Sequence, residues 1–147
     1  MPDPRHVFVY GTLRRASGHE AHRLLAAAEP VGDGWLPGRL YLADGYPGLV
    51  VPEAPAEPRR PAAVRGEVYR LPGGDALAAL DRYEGCDAGD PRRGLFRRTA
   101  AEAVLDDGRR LAVWVYVYNR DTAALPLIAS GDYCRRDATD EEVDHDR

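Results

Sequence analysis

The chain has 147 residues, 30% charged and 44% hydrophobic, enough for one self-sufficient core. Its 20 basic residues are all Arg and face 24 acidic ones, a net charge of −4 that excludes an electrostatic nucleic-acid binder. With no Lys there is no Schiff base and no phosphate-loop lysine, and neither Ser17 nor Ser130 sits in a nucleophile elbow.

In chain order, residues 6–10 read as a short buried strand stopped by Gly11-Thr12. The run 20–28 has high helix propensity, and Pro30 closes it. Extended runs at 39–43 and 46–51 meet at Asp44-Gly45, a hairpin-like turn signal. Four prolines mark 52–61 as an exposed loop, too short for a domain linker. Residues 64–71 form a strand. Pro72-Gly73-Gly74 then leads into a helix capped by Gly74 or Asp75 and running to about Tyr83. After a loop at 85–94, the runs 95–105 and 109–119 pair around Asp106-Asp107-Gly108. In the second of these, Trp114, Tyr116 and Tyr118 share one face, and Val113, Val115 and Val117 the other. Such a strand is central, with a core on one side and a second layer or a cavity on the other. Six or seven strands with two helices predict an α+β protein with a mainly antiparallel, curled sheet. Residues 1–134 read as one domain and 135–147 as a charged, frayed tail.

Two cysteines, Cys86 and Cys134, are too few for a disulfide scaffold or a four-ligand zinc site and fit reduced thiols in a cytoplasm. No apolar run approaches a membrane span, and no signal-peptide pattern opens the chain. The Arg doublets, among them Arg14-Arg15 and Arg97-Arg98, mostly have acids nearby and read as solvated mixed surface.

Three segments could carry chemistry. At Tyr10-Gly11-Thr12-Leu13 a strand stops and leaves successive backbone N–H groups without a ladder. Gly11 lets a ligand approach the main chain there, and Arg14-Arg15 would add positive potential for a carboxylate. The competing reading is a plain strand-to-loop turn. At Leu80-Asp81-Arg82-Tyr83-Glu84-Gly85 a helix ends on an acid, which opposes the macrodipole. That position and burial would both raise the Glu84 pKa toward the range of a general acid/base, unless Glu84 is simply a solvated acid before a glycine cap. Third, His19 and His22 are three residues apart, whereas the two-histidine zinc helix needs four, so no metal site is expected. Cys86 lies two residues past Glu84, but no neighbouring base marks it as a nucleophile.

Together these segments, with "VFVYGTLRR", "GYPGLV", "VRGEVYRL", "LDRYEG", "LFRR" and "WVYVYN" in that order, resemble the gamma-glutamylcyclotransferase-like family. The chain is most similar to its AIG2-like and gamma-glutamylamine cyclotransferase branch. The resemblance covers nearly the whole chain. It implies a small, closed, mainly antiparallel β-barrel with flanking helices, acting without a cofactor on a small gamma-glutamyl substrate. The implied reaction frees an amine and closes 5-oxoproline. By the same resemblance Glu84 is the general acid/base, and Tyr10, Gly11, Thr12 and Leu13 hold the glutamyl moiety. Arg98 matches the Arg of an aromatic-x-Arg segment whose aromatic, usually Tyr, is Phe96 here. Arg98, Tyr116 and Tyr118 are candidate pocket-lining residues. A non-catalytic binding module on the same barrel, and an enzyme deprotecting one specialised metabolite, are the alternative readings.

Overall fold

A computed structural model of the chain describes residues 5–11, 13–15, 20–43, 46–51, 63–86, 90, 92–128 and 130–133. Thr12, His19, Cys134, the Asp44-Gly45 turn, the loop at 52–61 and the tail at 135–147 lie outside the described residues.

Seven strands are described: β1 (His6–Val9), β2 (Glu29–Pro37), β3 (Arg39–Ala43), β4 (Tyr46–Val50), β5 (Ala63–Arg70), β6 (Phe96–Leu105) and β7 (Arg110–Tyr118). Five close into a barrel in the order β1-β5-β2-β6-β7, while β3 and β4 form a separate two-stranded sheet. Every pairing is antiparallel except the closing one, where β1 meets β7 in parallel at Val7 and Trp114. The small, closed, mainly antiparallel barrel expected from the sequence is therefore the fold.

Strand alternation sorts the apolar residues onto two faces. Phe8, Leu36, Val64, Val68, Leu105, Val113, Val115 and Val117 belong to one buried cluster. Val7, Val9, Tyr69, Phe96 and Tyr116 point the other way and form a second cluster with Leu77 and Leu80 of helix α1 (Gly74–Tyr83). The expected two-sided burial of β7 holds: its valines lie in the first cluster and its aromatics in or against the second.

Three local expectations need correction. The run 20–28 is not an α-helix: Glu20–Leu25 is a 3-10 helix, and the chain turns through i→i+3 bonds from Ala26 N–H to Arg23 and from Ala28 N–H to Leu25 before β2 begins at Glu29. Too few residues remain before β2 for tertiary packing to reward a longer helix. Strand β2 itself is hidden in the sequence by Pro30, Gly32, Gly34 and Pro37, which read as turn residues. Gly34 is there because a Cβ would meet Val104 O at 2.5 Å across the β2–β6 pair, and a register shift lies between Pro30 and Gly32. Last, α1 takes Gly73 as its N-cap, one residue earlier than expected.

Candidate active site

A cavity of about 410 Å³ opens where β1 ends, beside β7, the hairpin β3–β4 and the end of α1. Its wall includes Tyr10, Gly11 and Leu13 from the β1 loop, Tyr46 and Pro47 from β4, Glu84 after α1, and Phe96 and Tyr116 from β6 and β7. The volume suits a small molecule.

Glu84 reaches this wall through the way α1 stops. Cys86 N–H donates to Asp81 O at 3.0 Å and Gly85 N–H to Arg82 O at 3.2 Å, with Gly85 at φ +73°. That is a Schellman stop, and the glycine at the left-handed position makes it cheap. Leu77 and Leu80 anchor the helix in the second cluster, so its end is fixed against the barrel. Burial raises the Glu84 carboxyl from its usual 4.5 to about 7. Among the described residues its carboxylate makes no hydrogen bond or ion pair, and its uncovered part faces the cavity. The acid expected at a helix end is thus an acid poised near neutrality, through burial.

The β1 loop sits against the hairpin. A Cβ on Gly11 would meet Pro47 Cγ at 2.6 Å, and one on Gly48 would meet Tyr118 Cγ at 2.8 Å. These two close approaches explain why "GYPG" accompanies "YGTL". The Tyr10 hydroxyl is already engaged, donating to Tyr116 O at 2.6 Å and accepting from Leu49 N–H at 3.2 Å. Tyr10 therefore ties β1 to β4 and β7 and offers the cavity its ring more than its proton. Burial raises its pKa well above the usual 10, with the Glu84 charge adding to the effect.

Arg14 does not supply the positive potential expected of it. Its side chain is buried: Nε donates to Glu67 Oε2 at 3.2 Å and Nη1 to Asp132 Oδ1 at 2.8 Å. Glu67 also accepts from Arg15 N–H at 2.7 Å and from the Tyr69 hydroxyl at 2.8 Å. Glu67 sits at a buried position in the middle of β5, and a buried carboxylate needs partners. The guanidinium ties the loop after β1 to β5 and to Asp132 and is neutralised there.

Of the three lining candidates only Tyr116 stands in the wall. Tyr118 packs edge-on to Phe96, with ring centroids 5.5 Å apart, and also against Tyr46. Arg98 lies behind the wall, over the Trp114 ring at 4.7 Å, with Nε 3.1 Å from Asp81 Oδ1 in an angle too bent for a hydrogen bond. Asp81 was missed, although it lies three residues before Glu84 and so on the same side of α1. The Cys86 thiol is pushed up to about 11, chiefly by burial, and is no nucleophile at neutral pH. His22 is used locally, with Nδ1 2.9 Å from Leu13 O. Among the described residues no group of three His, Cys, Asp or Glu side chains could hold a metal, and no helix is long and apolar enough to cross a membrane.

The family model of the gamma-glutamyl cyclotransferase, AIG2-like proteins matches residues 7–135. The chain belongs to this family. Within it, the chain is 33% identical over 132 residues to the Escherichia coli gamma-glutamylcyclotransferase family protein YtfP, covering 89% of this chain and 97% of that one. The crystal structure of a Mus musculus AIG2-like protein superposes with a TM-score of 0.63 at 25% identity, over 84% of each chain. A structure from Pyrococcus horikoshii shares the fold across 97% of this chain and 98% of its own, with a TM-score of 0.60 at 19% identity. Tyr10, Gly11 and Leu13 of the first motif and Tyr83, Glu84 and Gly85 of the second border the same cavity in this family member.

Proposed function

We propose that this family member is a cofactor-independent cyclotransferase that releases a free amine from a gamma-glutamyl compound and closes 5-oxoproline, with Glu84 as general acid/base. The observation that carries this reading is a carboxyl raised to about 7, without a bonding partner among the described residues, in the wall of a cavity of about 410 Å³. A group that half-ionises near neutrality serves both as proton acceptor and as proton donor.

The substrate brings its own nucleophile, which suits a chain whose only serines are Ser17 and Ser130. Glu84 takes a proton from the α-ammonium. The freed nitrogen attacks the γ-carbonyl carbon, the amide C–N bond breaks as Glu84 returns its proton to the departing amine, and the surplus proton of the ring nitrogen leaves with that amine as ammonium. Because the attack is intramolecular, the protein mainly folds the glutamyl chain until nitrogen and carbon lie ~3–3.5 Å apart. Main-chain N–H groups at Gly11 to Leu13 anchor the α-carboxylate or the developing oxyanion, as positioned donors do in other acyl transfers. In support, the N–H groups of Gly11 and Leu13 make no hydrogen bond among the described residues. Residues 1–134 act as one domain in this reading, in the cytoplasm.

The test is a panel of gamma-glutamyl amines, gamma-glutamyl dipeptides and glutathione, with 5-oxoproline detected by mass spectrometry. Release of 5-oxoproline from at least one member, abolished in Glu84→Gln, is expected. Binding without turnover across the panel would instead favour a non-catalytic module.

A further inference from the structure

Tyr116 is fixed at both ends. Its backbone carbonyl accepts the Tyr10 hydroxyl at 2.6 Å, and its own hydroxyl donates to Asp81 Oδ1 at 2.7 Å. The Asp81 carboxylate, with Arg98 Nε 3.1 Å from that same oxygen, can only accept. A tyrosine hydroxyl has one proton and two acceptor lone pairs. With the proton committed to Asp81, what Tyr116 can offer the cavity is acceptor capacity alone. The neighbourhood agrees in sign: among the described lining residues Glu84 is the one acid, and no guanidinium or imidazole faces the cavity. Glu84 and Tyr116 both stand in the wall of this cavity. Two acceptors in a wall that also holds Phe96, Tyr83 and Leu95 suit a cationic N–H donor on a short apolar stem.

We propose that Tyr116 accepts a hydrogen bond from the substrate's α-ammonium group, with Asp81 and Arg98 as positioning residues that hold its hydroxyl in the accepting orientation. The inference rests on the gamma-glutamyl reading and adds to it the residue that recognises the amino group. After Glu84 has taken one ammonium proton, a remaining N–H stays on the Tyr116 oxygen, which turns the nitrogen lone pair toward the γ-carbonyl. Tyr116 thereby selects for a free α-amino group and aims it.

The experiment is calorimetric binding of two ligands that have no γ-carbonyl and so cannot form 5-oxoproline: 5-hydroxynorvaline, a glutamyl-like chain ending in CH₂OH, and 5-hydroxypentanoate, the same chain without the amino group. Wild type should prefer the amino compound, and Tyr116→Phe should reduce that preference by about tenfold, the size of one hydrogen bond to a charged group. Asp81→Ala, a change a helix tolerates well, should reduce it similarly, because the hydroxyl loses its acceptor and turns its proton toward the ligand. A purely structural role for Tyr116 or Asp81 would weaken both ligands equally. If either folded variant keeps the wild-type preference, the proposal is overturned while the gamma-glutamyl reading stands. If wild type binds neither ligand and releases no 5-oxoproline from the panel, both fall.

Discussion

Replacing Glu84 with Gln tests the chemistry and the electrostatics together. A carboxyl that ionises at about 7 in the folded chain and at the ordinary 4.5 when unfolded stays protonated longer in the folded state. Between those values the unfolded chain has lost its proton and the folded chain has not. Stability therefore falls as pH rises from 4.5 to 7, and above 7 the folded chain carries the full desolvation cost of the anion. At about 1.4 kcal/mol per pH unit, that cost is roughly 2–3 kcal/mol, the lower figure allowing for water at the cavity mouth. Gln carries no such charge. Glu84→Gln should consequently melt higher than wild type at pH 8, by roughly 4–12 °C, and the gap should close near pH 4.5. In the same protein, turnover of a substrate confirmed with the panel should fall by ~10²–10⁴-fold. The assay pairs thermal melts of both proteins from pH 4.5 to 8 with 5-oxoproline release at pH 8. A melting difference that does not change with pH would refute the burial argument. Turnover within a few-fold of wild type would make Glu84 a structural acid.

Other outcomes follow from the same geometry. The kcat/KM of wild type should climb as pH rises through about 7, because the base form of Glu84 is the one that accepts the ammonium proton; a rate already level at pH 5 would contradict this. Gly11→Val should lose substrate binding and about 1–3 kcal/mol of stability, since its Cβ would sit 2.6 Å from Pro47 Cγ; ligand titration alongside a denaturant melt reads both. Arg14→Ala should cost about 3–5 kcal/mol in the same melt, because it takes the guanidinium from the buried Glu67; a loss under 1 kcal/mol would show that the clamp contributes little.

Much of the site was legible in one dimension. Gly85 after an amphipathic run specifies where α1 stops, so the sequence itself puts Glu84 at the helix end, and a strand ending at Tyr10-Gly11 likewise announces a turn. Strand β2 was not legible, because Gly34 is selected by close cross-strand approach, which acts between segments distant in the chain. Arg14 and Arg98 looked like surface charges for a similar reason: their partners Glu67, Asp132 and Asp81 lie between 17 and 118 residues away.

By itself the sequence determined the periodicities, the turns and the stop signals, since these depend on contacts within a few residues: the valine and aromatic faces of β7, the cap at Gly85, the glycine at position 11. Only the tertiary structure decided that the β1 loop and the end of α1 border one cavity, that the Tyr10 proton goes to Tyr116 O, and that Arg14 is neutralised by Glu67 and Asp132. It also decided the acidity of Glu84. The macrodipole argument needed only local order, but the rise to about 7 comes from burial, and burial exists only once helix, hairpin and barrel have closed around the carboxyl.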